Sequence, residues 1–174
     1  IETALIITGE GAAAVEHRPD VRLVPDTERL HLTLPSDLEA GTARIVCTFR
    51  GELNDRLKGF YRSTYTDDGG AEHTIATTQF QSTDARRAFP CWDEPAWKAT
   101  FATTLVVDPD HLAVANSAEI ADTIDPDGRR RIAFAETMRM STYLVAFVVG
   151  PLEVTEPVDA GGVPVRVVHR PGQG

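Results

Sequence analysis

Short runs of alternating apolar and polar residues follow one another along the chain, and this two-residue period is typical of β-strands with one buried face. Residues 42–50 show it clearly, because every second side chain is apolar: Ala43, Ile45, Cys47 and Phe49. Further β-rich runs cover residues 29–34, 60–65, 73–80, 101–107, 112–116, 132–134, 142–149 and 163–168. Turn residues separate these runs, so the sequence predicts an all-β fold, an antiparallel multi-stranded saddle or sandwich.

One hairpin and one helical turn are indicated locally. The runs 60–65 and 73–80 flank Asp-Asp-Gly-Gly at residues 67–70, where the glycines supply the positive φ that a tight turn needs. Helix signals are few. Ser82, Thr83 and Asp84 offer side chains that could cap a short helical turn near residues 84–88, and the following proline would end it.

Length and charge bound the possible partners. The 174 residues suit one domain with its own core. A formal net charge of −9 argues against a nucleic-acid partner, because polyanion binding needs a basic face. No apolar run approaches the roughly 20 residues of a membrane-spanning helix, so no membrane partner is expected.

The cysteines indicate the cellular compartment, and the low lysine content indicates the source organism. Cys47 and Cys91 are the only cysteines and form no C-x-x-C pair, which predicts a reducing compartment and a cytoplasmic location. Arginine outnumbers lysine, with only Lys58 and Lys98 present, which favours a bacterial source with GC-rich DNA.

Metal-ligand spacing is absent from this chain. The five histidines lie far apart and none belongs to an H-E-x-x-H motif, so no metal site is predicted here. They are His17, His31, His73, His111 and His169.

The densest chemistry lies in residues 78–101, which read TQFQSTDARRAFPCWDEPAWKATF. Cys91 is either a nucleophile or a packing cysteine, and its apolar neighbours, which raise a thiol pKa, favour packing. Asp93 and Glu94 are either a catalytic carboxylate pair or part of a brace. Adjacent residues of an extended segment point to opposite faces, which favours the brace. Its members would be Asp84, Asp93 and Glu94 paired with Arg86 and Arg87.

Three blocks resemble successive signatures of the zinc aminopeptidases of the aminopeptidase N type, most of all the puromycin-sensitive branch. They are residues 53–63, LNDRLKGFYRS, residues 78–101, and residues 140–150, MSTYLVAFVVG. The resemblance implies that residues 1–170 form the N-terminal β domain, with its first strands missing, and that residues 171–174 start a linker to an absent catalytic domain. In this family the catalytic domain holds G-A-M-E-N, H-E-x-x-H and the zinc, so the parent enzyme would use zinc and this chain would bind none.

The resemblance also implies two substrate-binding residues and no catalytic residue. The family motif T-Q-F-E reaches the active-site cleft, where Gln lines the first side-chain pocket and Glu helps to bind the ammonium of the peptide N-terminus. These positions are Gln79 and Gln81 here, and the second departs from the usual Glu. On one strand they would face the same side. Without the resemblance, a pair of exposed strand glutamines explains them equally well.

Two functions stay open at this point. The chain is either the non-catalytic cleft domain of an active metalloaminopeptidase, packed on that enzyme's catalytic domain, or the β saddle of an inactive relative used for protein assembly. An intact H-E-x-x-H downstream would indicate the enzyme.

Overall fold

The computed structural model describes residues 1–174 and contains β-strands and short 3-10 helices but no α-helix. All strand pairs are antiparallel, which confirms the all-β prediction. The strands are β1 (Thr3–Thr8), β2 (Val15–His17), β3 (Asp20–Val24), β4 (Arg29–Thr33), β5 (Ala43–Thr48), β6 (Gly59–Thr66), β7 (Glu72–Gln79), β8 (Lys98–Ala99), β9 (Thr104–Val107), β10 (Leu112–Ala115), β11 (Glu119–Ile124), β12 (Arg130–Phe134), β13 (Met140–Ser141), β14 (Phe147–Gly150), β15 (Glu153–Val154), β16 (Val158–Asp159), β17 (Pro164–Val165) and β18 (Val168–His169). The 3-10 helices are Gly11–Ala13, Pro25–Thr27, Ala85–Arg87 and Thr142–Leu144.

The chain divides into two compact units, Ile1–Glu52 and Leu53–Gly174. The first contains the sheet β2-β1-β5 and the hairpin β3-β4. Its buried apolar residues are Ala4 and Ile6 of β1. The alternation in residues 42–50 locates β5 correctly but overestimates its burial, since Ile45 is exposed. A three-stranded sheet has few neighbours with which to cover a face.

The second unit is organised around the four-stranded sheet β10-β14-β7-β6 and the three-stranded sheet β11-β12-β9. Its sheet-to-sheet core is Val107, Ala113, Ile132 and Phe134. Shorter pairs β13-β8, β15-β18 and β16-β17 complete it.

The β6–β7 hairpin forms as predicted, with register running from Gly59 opposite Gln79 to Thr66 opposite Glu72. The Asp67 carboxylate accepts the Ala71 N–H at 2.9 Å and closes the turn. The predicted helical turn also forms, as the 3-10 helix Ala85–Arg87, but its predicted side-chain cap does not. The Asp84 carboxylate accepts the Arg87 Nε–H at 2.7 Å instead, and such a charge-assisted bond is stronger than a bond to a neutral amide.

Candidate functional site

Gln79, Phe80 and Gln81 form an exposed tip at the end of β7, called the glutamine tip below. Both glutamines are exposed, and Phe80 between them is 2% exposed. The expectation that both glutamines lie on one strand is wrong, because β7 ends at Gln79 and Gln81 lies in the following turn. The ladder with β14 stops at Thr77, and the Phe147 N–H is then donated to the Thr78 hydroxyl at 3.1 Å. A side chain thus takes the bond that would have continued the strand pairing.

Phe80 anchors the tip in a small core. Its ring meets Phe89 edge-on at 5.9 Å and Phe147 at 6.2 Å between ring centroids. Ala85 and Val145 complete the buried cluster. Because a buried aromatic side chain contributes much of the packing energy of such a core, the backbone on either side of Phe80 is held in place.

A buried ion pair braces the segment after the tip. Asp93 is 4% exposed, and its Oδ2 accepts the Arg86 backbone N–H at 3.0 Å and the Arg86 Nε–H at 2.8 Å. Its Oδ1 is buried with no hydrogen-bond partner. The predicted brace is confirmed for this pair and for Asp84 with Arg87. The predicted pairing of Glu94 with an arginine is not seen: its side chain is exposed, and its backbone carbonyl accepts the Trp97 N–H at 2.9 Å.

Asp93 and Glu94 do not form a catalytic carboxylate pair, because Asp93 is buried whereas Glu94 is exposed.

Cys91 packs against the Phe80 cluster. Burial, with the nearby Asp93 charge, raises the pKa of the Cys91 thiol to about 12. A thiol with that pKa is protonated at neutral pH and is a poor nucleophile, so the packing interpretation is confirmed.

Two buried hydroxyls tie this segment to the next block of the chain. The Thr142 hydroxyl donates to the Trp92 carbonyl at 3.0 Å, and the Ser141 hydroxyl donates to the Pro95 carbonyl at 2.6 Å. Sequence reasoning missed both residues. Their only signal was a pair of small hydroxyl side chains at the start of the 140–150 block.

Gly59 is a third residue that sequence reasoning missed. It lies opposite Gln79, with a φ of +70°, and a Cβ added there would be 2.6 Å from Arg87 Cβ. The loop before it is fixed by Asn54, whose Nδ2 donates to the Lys58 and Phe60 carbonyls, each at 3.1 Å. Only glycine allows β6 to begin this close to the 3-10 turn.

Metal ligands are not brought together. No group of three or more His, Cys, Asp or Glu side chains is placed to hold a metal ion. His73, for example, bonds to the Asp67 carboxylate at 2.8 Å and stacks on Tyr65. The residues of this chain therefore do not fit a zinc site. None of its helices has the length and apolar character needed to cross a membrane.

Comparison with known proteins gives one consistent result. The family model described as the peptidase M1 N-terminal domain matches residues 9–144. A puromycin-sensitive aminopeptidase of Caenorhabditis elegans is 42% identical over 99% of this chain and 18% of its own length. Aminopeptidase N of Bos taurus is 43% identical over 95% of the chain and 17% of its own length. Endoplasmic reticulum aminopeptidase 1 of Homo sapiens is 36% identical over 98% of the chain and 18% of its own length.

The chain spans less than a fifth of the length of these relatives. All three come from animals, so the expected bacterial source stays a prediction without support from them.

Proposed function

Since this chain belongs to the family of peptidase M1 N-terminal domains, we propose that it forms part of the substrate cleft of a zinc aminopeptidase. Such an enzyme would remove N-terminal residues from peptides. The aminopeptidase names of its relatives support this reading. Their greater length leads us to treat the chain as part of a longer protein, called the parent enzyme below.

The observation that carries the proposal is the glutamine tip. Two exposed amides flank a buried Phe80, on a strand end that is anchored by packing on one side and by the Arg86–Asp93 pair on the other. An exposed polar tip on a rigid base suits a binding site, because a backbone that is already ordered loses little entropy when ligand binds.

The chemistry of the tip suits a peptide N-terminus. An ammonium group offers three N–H donors, and each Gln carbonyl is an acceptor, while each Gln amide can also donate to a peptide carbonyl. Gln79 would line the pocket for the first side chain, and Gln81 would accept from the ammonium. A neutral Gln81 would hold the ammonium less strongly than the usual Glu.

Zinc would be held elsewhere in the parent enzyme, where it would supply the activated water for hydrolysis. A catalytic zinc needs about three protein ligands in matched geometry, and this chain offers no such group. We therefore expect this chain alone neither to bind zinc tightly nor to cleave peptides.

The same loop would also pack on the catalytic domain. Trp92 is 66% exposed and Trp97 is 62% exposed, although their backbones are held by the Thr142 and Glu94 bonds. Large aromatic side chains on a fixed backbone are frequent at the centres of protein interfaces. A cytoplasmic location remains part of the proposal and rests on the two free cysteines.

The direct test compares Gln79→Ala and Gln81→Ala in the parent enzyme, with Gln173→Ala as a matched control far along the chain from the tip. Each tip variant should lower kcat/KM for peptides with a free N-terminus by several-fold, as expected for a lost hydrogen bond. Gln173→Ala should have no effect. Tip variants that behave like the control would contradict a contact with substrate. A parent enzyme that shows no peptidase activity in its native form would instead favour the assembly role.

A further inference from the structure

We propose that Asp93 is a positioning residue for the glutamine tip, acting through Arg86, and so sets how well the parent enzyme binds the substrate N-terminus. The inference rests on the proposed function and adds a residue that does not itself touch substrate.

The first observation is where the chain buries polar groups. Its buried polar residues are Asp93, Ser141 and Thr142, and all three bond within or onto the segment that follows the tip. Burying a hydroxyl or carboxylate costs free energy unless it is well bonded. Concentrating these groups at one loop indicates that the geometry of this loop matters more than the stability it contributes.

Asp93 illustrates the point. One of its oxygens bonds twice to Arg86, while the other is buried without a partner. A buried ion pair of this kind is weak evidence for stabilisation, since a well-packed apolar pair often does as well. The pair does fix the position of Arg86, because Asp93 bonds to both the backbone and the side chain of Arg86.

The second observation is that the turn containing Arg86 is bonded to the tip. Arg86 lies in the 3-10 turn Ala85–Arg87, and the Asp84 N–H just before this turn is donated to the Phe80 carbonyl at 2.9 Å. Ala85 is fully buried against Phe80. A shift of Arg86 therefore moves the turn, and the turn moves the residue between the two glutamines.

The third observation is that the backbone around Asp93 is itself held in place by hydrogen bonds from another part of the chain. Trp92, just before it, and Pro95, two residues after it, are held from β13 and the adjoining turn, through the Thr142 bond to the Trp92 carbonyl and the Ser141 bond to the Pro95 carbonyl. Asp93 thus transmits the position of one rigid element to the other. A displacement of about 1 Å in residues that position substrate can cost about a hundredfold in rate, so such an anchor has functional value.

The experiment is a double-mutant cycle in the parent enzyme. Asp93→Asn keeps the shape and one acceptor but removes the charge that holds Arg86. It should lower kcat/KM for free peptides about tenfold, mostly through KM, because the tip is expected to bind substrate in the ground state. In a background carrying both Gln79→Ala and Gln81→Ala, the same substitution should change kcat/KM less than about twofold, because the tip it positions is gone.

The matched control is Asp127→Asn, which removes the same charge from the exposed Asp127–Arg129 pair and should leave kcat/KM unchanged. Two results would overturn the inference. One is an Asp93→Asn enzyme with native kcat/KM. The other is an equal loss in both backgrounds, which would mean that Asp93 acts on the fold generally. The proposed function fails separately, when the two glutamine substitutions alone have no effect.

A second variant covers the case in which Asp93→Asn does not fold. Arg86→Lys keeps a positive charge near Asp93 but replaces the guanidinium with an ammonium on a flexible stem. The same cycle should give a smaller loss in the native background and none in the glutamine-free background. A loss of the same size in both backgrounds would again reject a positioning role.

Discussion

Gly59 and Arg87 lie so close together that a methyl group on Gly59 would be 2.6 Å from Arg87 Cβ. Since Gly59 is also the partner of Gln79 in the β6–β7 ladder, this contact joins the start of one strand to the turn that follows the tip.

Gly59→Ala should therefore displace the 3-10 turn and the tip together. Overpacking of this kind costs about 1–3 kcal/mol, in addition to about 1 kcal/mol for a side chain at positive φ. The matched control is Gly70→Ala, whose φ is +84° but whose added Cβ would meet nothing within 4 Å. Thermal unfolding of both variants separates the two costs. Equal losses of stability would show that the Arg87 contact yields easily.

Gln81→Glu should strengthen recognition of free N-termini. A charge-assisted bond contributes about 1.5–3 kcal/mol and a neutral one about 0.5–1.5, so we expect about 1 kcal/mol, or several-fold in kcat/KM. N-acetylated peptides should gain nothing, because they lack the ammonium. Steady-state kinetics on paired free and acetylated peptides, with Gln173→Glu as the charge-matched control, measures this. An equal change for both peptides would mean that Gln81 does not contact the amine.

Cys91 should make the chain less stable at alkaline pH. Burial raises the pKa of its thiol from the ordinary value of 9.0 to about 12 in the folded state. Above pH 9 the unfolded chain therefore loses a proton that the folded chain keeps, and the free energy of unfolding falls as pH rises toward 12. Unfolding measured between pH 8 and 11 should show a smaller decline in Cys91→Ala than in the native chain. Rapid alkylation of native Cys91 at pH 8 would contradict the raised pKa.

Trp92→Ala and Trp97→Ala should separate folding from domain contact. Both side chains are exposed, so their loss should change the stability of the β domain by no more than about 0.5 kcal/mol. The parent enzyme should instead become easier to cleave by proteases between its domains. Ile120→Ala, at an equally exposed position of β11, is the control and should leave cleavage unchanged. Identical cleavage of all three variants would argue against packing through this loop.

Local chemistry explains what the sequence predicted well. The hairpin follows from Asp-Asp-Gly-Gly between two β-rich runs, and the brace follows from opposite charges only seven residues apart in the chain, at Arg86 and Asp93. The family resemblance, carried by long blocks in the right order, is confirmed by the family match over residues 9–144.

The misses share one cause, which is contact between distant parts of the chain. The Thr142 and Ser141 bonds join residues 50 and 46 positions apart, and no local pattern announces them. The end of β7 depends on Phe147, 69 positions from Thr78. The exposure of Ile45 likewise depends on what covers its sheet, which alternation within one strand cannot reveal.

The β6–β7 hairpin also offers a position, away from the tip, at which a probe could be attached. Its two strands are eight residues long, so the turn at residues 67–71 lies about 24 Å from Gln79 at the usual rise per residue. Gly70 has open space around it, which makes this turn a suitable place for a dye or a short inserted tag. A probe there would lie at the far end of the hairpin whose strand β7 ends at Gln79, and would report a change in the orientation of this hairpin from outside the glutamine tip.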